Sequence, residues 1–159
     1  MAEKTNAVRK LDSMKIEYKL HSYDDTGAVS GIEVATAIGE NPEQVFKTLV
    51  TVAKSGTNYV FLVPVAQELD LKKAAAVVHE KSIEMIKAKE LLPLTGYIHG
   101  GCSPVGMKKM FHTVVDKSAE CFERFYFSGG RIGLQIETSP SELAKVIKYQ
   151  FADIIKQVN

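Results

Sequence analysis

The chain has 159 residues, 45% hydrophobic and 25% charged, with a formal net charge of +1. That length fits one domain with a sizeable core. The charge balance gives no global basic field to mark a nucleic-acid binder, although a local patch is enough for one. The two cysteines and four histidines show no CxxC motif and no zinc-ligand spacing, so no metal or other cofactor is expected. The polar start at 1–6 lacks an apolar leader, and the longest apolar run, 59–66, is too short for a bilayer. A cytoplasmic protein with reduced thiols and no membrane partner is the expectation.

In chain order, Ala7, Val8, Leu11 and Met14 fall at helical spacing and predict a helix over 5–14, capped by Thr5 or Asn6. Residues 17–23 alternate and predict a strand with Tyr18, Leu20 and Ser22 on one face. Residues 24–27 form a loop. Ser30 caps a second helix with Glu33 at the capping-box position, lined by Ile32, Ala35, Thr36 and Ile38 and ended by Gly39. Asn41-Pro42 opens a short turn that delivers Phe46-Lys47 to the next strand. Residues 48–53 and 59–66 read as strands, and the turn formers at 54–58 make them a hairpin. A helix over 70–78 has Leu71, Ala74, Ala75 and Val78 inward.

Further on, 82–86 is strand-like, 87–92 is a short helix stopped by Pro93, and 95–99 is a strand entering the loop Gly100-Gly101-Cys102-Ser103-Pro104-Val105-Gly106. Strands follow at 113–115, 124–127 and 132–137, with a tight turn at 128–130. Ser139-Pro140-Ser141 opens a final helix whose stripe runs from Leu143 through Val146, Ile147, Gln150, Phe151 and Ile154 to Ile155. Short strands with interspersed helices predict a mixed, curled sheet with helices outside. The lack of regular βαβ alternation disfavours a doubly wound parallel fold.

Several residues carry candidate chemistry. Lys47 stands at the mouth of an apolar strand. On composition alone it reads as a solvated strand end, the alternative being a buried, working ammonium. The two glycine-rich turns, 100–106 and 128–133, allow close backbone approach and can gather N–H groups around an anion, but joining strands is the commoner use. Neither turn is a Walker or dinucleotide motif. Tyr23 follows a strand from which its hydroxyl can reach a pocket, and Ser128 sits in a turn. Cys102 and Cys121 read first as small buried hydrophobes. Lys72-Lys73, Lys108-Lys109, Lys87 and Lys89 read as solvated faces, with phosphate contact the alternative.

Taken together, six stretches resemble the YbaK/EbsC family of free-standing editing proteins. They are 20–23 (Leu-His-Ser-Tyr), 41–49 (Asn-Pro-Glu-Gln-Val-Phe-Lys-Thr-Leu), 69–74, 95–109, 128–134, and 143–145 with 151–154. Their order and spacing hold along essentially the whole chain. The resemblance implies one editing domain over 1–159, a compact α/β fold with a mixed, barrel-like β-sheet and helices packed outside. It implies removal of cysteine from mischarged Cys-tRNA(Pro), with the 3′ end of the tRNA as substrate and prolyl-tRNA synthetase as partner for tRNA selection. Ala-tRNA(Pro) or broader deacylation, and a non-catalytic tRNA or synthetase adaptor, are the alternatives.

By the same resemblance Lys47, Gly100 and Gly101 form the catalytic set. Tyr23, Thr48, Ser128, Gly129 and Gln135 contact substrate. The family mechanism is substrate-assisted: the cysteine thiol attacks its own ester and leaves as a thiolactone. Such a site needs positioning and oxyanion donors more than a nucleophile. Two positions depart from the family pattern. Gln135 stands where many relatives carry Asp, and Cys102 where most carry an aliphatic residue.

Overall fold

Thr5 turns the chain into its first helix. Its hydroxyl accepts from the Val8 N–H (3.1 Å), and α1 (Asn6–Ser13) buries Ala7, Val8 and Leu11. The computed structural model describes residues 4–28 and 30–157, so part of the polar start and the last two residues lie outside it. Ser30 and Glu33 exchange both bonds of a capping box at α2 (Gly31–Ala37), as the spacing predicts. Asp70 caps α3 (Leu71–Val77) by accepting from the Lys72 and Lys73 N–H groups.

The strands form two sheets. The smaller, fully antiparallel, has the order β1 (Lys19–Ser22), β7 (Leu134–Thr138), β6 (Phe125–Ser128). The larger has five strands in the order β4 (Ile83–Met85), β2 (Phe46–Ala53), β3 (Asn58–Pro64), β5 (His112–Asp116), β8 (Tyr149–Ala152). Its β2–β3 and β2–β4 pairs are antiparallel, and its β3–β5 and β5–β8 pairs are parallel. One parallel bridge, Val45 to Tyr126, joins the two sheets.

The period-2 alternation of the central strands sends side chains to two cores. Phe46, Val50, Val60, Leu62 and Val115 join Leu11, Phe125, Phe127 and Ile136 between the sheets. Phe61, Val63, Val114 and Ile83 face the other way, under Ala74, Ala75 and Val78. Because both faces are covered, β3 is buried from Tyr59 to Pro64 and reads as an unbroken apolar run.

Several expectations change. The mixed sheet is present, but neither sheet closes, so the barrel-like description is not confirmed. The long C-terminal helix is absent: α5 (Pro140–Leu143) is one turn, and the stripe residues Gln150 and Phe151 lie in β8 (Tyr149–Ala152). A strand there satisfies the open edge of β5, which an amphipathic helix would leave unpaired. Pro93 does not stop α4 (Ala88–Thr95) but lies inside it, where its missing donor frees only the exposed Lys89 carbonyl. The strand over 95–99 is absent because Thr95 ends that helix and Gly96 takes a φ of 89°. Leu20, Ile32 and Leu71 are exposed, and His21 and Val34 turn inward in their neighbourhoods.

Candidate active site

β2 carries the site because it leaves the shelter of its neighbours halfway along. β4 pairs with it only over Thr51 to Ala53, and beyond Ile86 the chain departs into α4. The space so opened is a cleft of about 430 Å³, in the range of small-ligand sites. β2 crosses it from Val45 to Val50. Tyr23, Ser128 and Gln135 arrive from the small sheet, and His99, Gly100 and Cys102 from the glycine loop. Ile86, Ala88 and Leu91 supply an apolar wall.

Lys47 is half-buried in this cleft and makes no hydrogen bond or ion pair with the described residues. Burial pushes its pKa below the ordinary 10.5, partly offset by the charge of Glu68. Thr48 Oγ1 and Gln135 Oε1 are buried with no hydrogen-bond partner. Buried polar atoms are nearly always paired, so these two point to a ligand. Ser128 Oγ accepts from the Gly130 N–H (3.1 Å), which leaves its hydroxyl hydrogen free to donate. Tyr23 is 4% exposed, and its N–H is held by the Gly133 carbonyl (2.8 Å). Next to it Asp24 takes Arg131 Nη1 at 2.8 Å, which fastens the Tyr23 loop to the turn after Ser128.

Six of the eight predicted site residues therefore meet in one cleft: Lys47, Thr48, Tyr23, Gly100, Ser128 and Gln135. Gly101 and Gly129 do not line it. The Gly101 N–H already donates to the Ile98 carbonyl (3.0 Å), so this geometry does not meet the expectation that it receives developing charge. Its need for glycine is steric: a Cβ there would lie 2.9 Å from Arg131 Cα. Gly129 closes the turn by donating to the Leu134 carbonyl (2.8 Å). Gly100, with a φ of 86°, keeps an N–H without an acceptor among the described residues.

The cysteines separate. Cys102 is 7% exposed and lines the cleft, and burial pushes its thiol up to about 12. Cys121 is exposed and lies elsewhere. Among the described residues no group of three ligating side chains could hold a metal ion, and no helix is long and apolar enough to cross a membrane. Lys73 is tied to Asp153 and the Ile155 carbonyl, a structural use. The sequence reading missed His99, Ile86 and Leu91. His99 adjoins the glycine loop and was within reach of that signal. The other two are apolar residues that only the departure of β4 brings to the cleft.

The aminoacyl-tRNA editing domain model matches residues 27–146. The chain belongs to that family. A candidate Cys-tRNA(Pro)/Cys-tRNA(Cys) deacylase of Enterococcus faecalis, EbsC, is 40% identical over 153 residues, 96% of this chain and 93% of its own. The crystal structure of a candidate trans-editing enzyme for prolyl-tRNA synthetase superposes with a TM-score of 0.86 at 26% identity. It covers 98% of this editing protein and all of its own chain. A second crystal structure, of a hypothetical protein, matches with the same TM-score at 23% identity, covering 95% and 99% of the two chains, and shares the fold.

Proposed function

We propose that this editing protein removes cysteine from mischarged Cys-tRNA(Pro), with the substrate's own thiol as nucleophile. One observation carries the reading. The cleft holds the ammonium of Lys47, which has no partner among the described residues, while the thiol that lines it, Cys102, is pushed up by burial to about 12. That arrangement can stabilise charge on a substrate but has no activated cysteine to attack it. An aminoacyl ester that brings its own thiol fits such a site.

In the proposed reaction the substrate sulfur bonds to the ester carbonyl carbon and the bond from that carbon to the ribose oxygen breaks. The thiol proton ends on the ribose oxygen. The products are a thiolactone and a free tRNA 3′ end. Lys47 faces the charge that develops on the ester oxygens, with the Gly100 N–H as a further donor. Tyr23, Ser128 and Gln135 bound the aminoacyl group, and Ser128 can donate to it. The whole chain, 1–159, is taken as one editing domain. Selection of the tRNA by prolyl-tRNA synthetase and a cytoplasmic site of action complete the proposal, supported by the family's role in translation.

The test is a deacylation panel with Cys-tRNA(Pro), Cys-tRNA(Cys) and Ala-tRNA(Pro), run with and without the synthetase. Loss of the cysteinyl ester and survival of the alanyl ester support the reading. Equal loss of both means that a substrate thiol is not required, which favours broader deacylation. Retention of every ester with intact tRNA binding makes the protein an adaptor.

A further inference from the structure

The hydrogen-bond phase of β2 fixes which of its backbone groups face the cleft. The Val45 carbonyl accepts from the Val65 N–H (2.8 Å), and the Ala53 N–H donates to the Thr57 carbonyl (2.9 Å). Both therefore point toward β3. In an antiparallel pair the direction alternates with each residue. Lys47, Leu49 and Thr51 thus also serve β3, while Phe46, Thr48 and Val50 present their N–H and C=O to the opposite edge.

Each end of that opposite edge is occupied. The Val50 carbonyl accepts from the Ile86 N–H (3.3 Å), where β4 departs. The Val45–Tyr126 bridge places β6 against the Gln44–Phe46 end. Between them no strand among the described residues pairs with Thr48 on this edge. Its N–H and C=O face a cleft that its own side chain also lines, with Oγ1 buried and unpartnered. The gap in the ladder is one residue wide.

We propose that this gap is a one-residue β-pairing slot, and that the aminoacyl group of the substrate fills it as an added strand residue. This rests on the deacylase reading and specifies how the ester is held. An α-aminoacyl ester carries the same complement as a strand residue: an N–H donor on one side of Cα and a C=O acceptor on the other. Its α-ammonium donates to the Thr48 carbonyl. Its ester carbonyl oxygen accepts from the Thr48 N–H, which thereby becomes an oxyanion donor fixed in a rigid strand. This supplies a donor where the Gly101 N–H is already engaged.

The slot also dictates stereochemistry. Residues directly opposite in a sheet share a face. An L side chain therefore projects on the face of Thr48, which carries Phe46, Val50 and Cys102. A D side chain projects on the face of Lys47. The L side chain therefore enters the part of the cleft that Cys102 lines.

The experiment uses the intact protein, labelled with nitrogen-15, and two non-hydrolysable probes. The first is 3′-deoxy-3′-(L-cysteinylamino)adenosine. The second replaces its α-amino group by hydroxyl. The proposal expects the first probe to move the Thr48 amide proton downfield. It expects the hydroxyl probe to bind about 10-fold or more weaker, as for a lost charged hydrogen bond. The D-cysteinyl epimer should weaken similarly. Binding of the first probe with the Thr48 amide unmoved, equal binding of the hydroxyl probe or the epimer, or no binding by the first probe overturns it. Hydrolysis of Cys-tRNA(Pro) is measured in parallel. A shifted Thr48 amide without ester loss keeps the slot and removes the deacylase reading, and ester loss with Thr48 unmoved does the reverse.

Discussion

Replacing Lys47 by Met separates its chemistry from its packing. Met keeps most of the apolar stem and deletes the ammonium. A positive charge about 5 Å from the ester oxygens is worth about 1 kcal/mol in water and about 3 kcal/mol at the effective dielectric of a protein surface. Lys47 is half-buried, so the loss falls between these limits. That predicts a fall of about 5- to 150-fold in the single-turnover rate of Cys-tRNA(Pro) deacylation. Stability should move the other way. Burial lowers the Lys47 pKa from 10.5, so the protonated form is disfavoured on folding. The penalty is fully present below the folded pKa and disappears as pH rises through 10.5. At neutral pH the Lys47→Met protein should therefore melt no lower than wild type. Single-turnover decay of the radiolabelled ester and thermal unfolding at pH 7 supply the two readings. Near-wild-type deacylation by a folded Lys47→Met protein would refute the reasoning. A lowered melting temperature would show that the ammonium supports the fold instead.

Three further outcomes follow from the same geometry. Cys102→Ala should retain most deacylation, and iodoacetamide at pH 8 should label the native protein at Cys121 alone, because burial holds the Cys102 thiol at about 12; mass spectrometry after digestion reads both sites. Gly101→Ala should lower the melting temperature by about 3–10 °C, because its Cβ meets the rigid backbone of Arg131 at 2.9 Å. Burial of Glu137 opposes its ionisation, but hydrogen bonds from His21 (2.7 Å) and Arg124 (2.6 Å) prevail and hold its pKa below 4.5. Its contribution is therefore present above pH 4.5 and lost as pH falls through the folded value. The stability difference between wild type and Glu137→Gln, from urea unfolding across pH 3–7, should shrink below 4.5.

Local signals were legible wherever one residue type does one job. The capping box of Ser30 and Glu33, the Thr5 cap and the hairpin through 54–58 depend on neighbours in sequence, and all form as predicted. The C-terminal stripe failed because Ile147 and Phe151, four apart as a helix needs, also alternate with Tyr149 at the strand period. The open edge of β5, a partner distant in sequence, decided between them. Pro93 misled for a related reason: it stands inside α4, and the residue whose helical bond it removes, Lys89, is exposed.

The sequence by itself determined which residue types gather at the site, because the stretches around Tyr23, Lys47, the glycine loop and Ser128 keep a recognisable order. On composition alone Lys47 reads as a solvated strand end, and only the family resemblance makes it a site residue, since burial is set by what packs around a residue. Tertiary structure places Lys47 half-buried in the cleft, with no hydrogen-bond or ion-pair partner among the described residues. It also distinguished Gly100 from Gly101, identical in sequence terms, by where each N–H points. Above all it opened the edge of β2 at Thr48. No residue type encodes a missing strand neighbour; the gap exists because β4 leaves the sheet at Ile86 and β6 reaches only Val45.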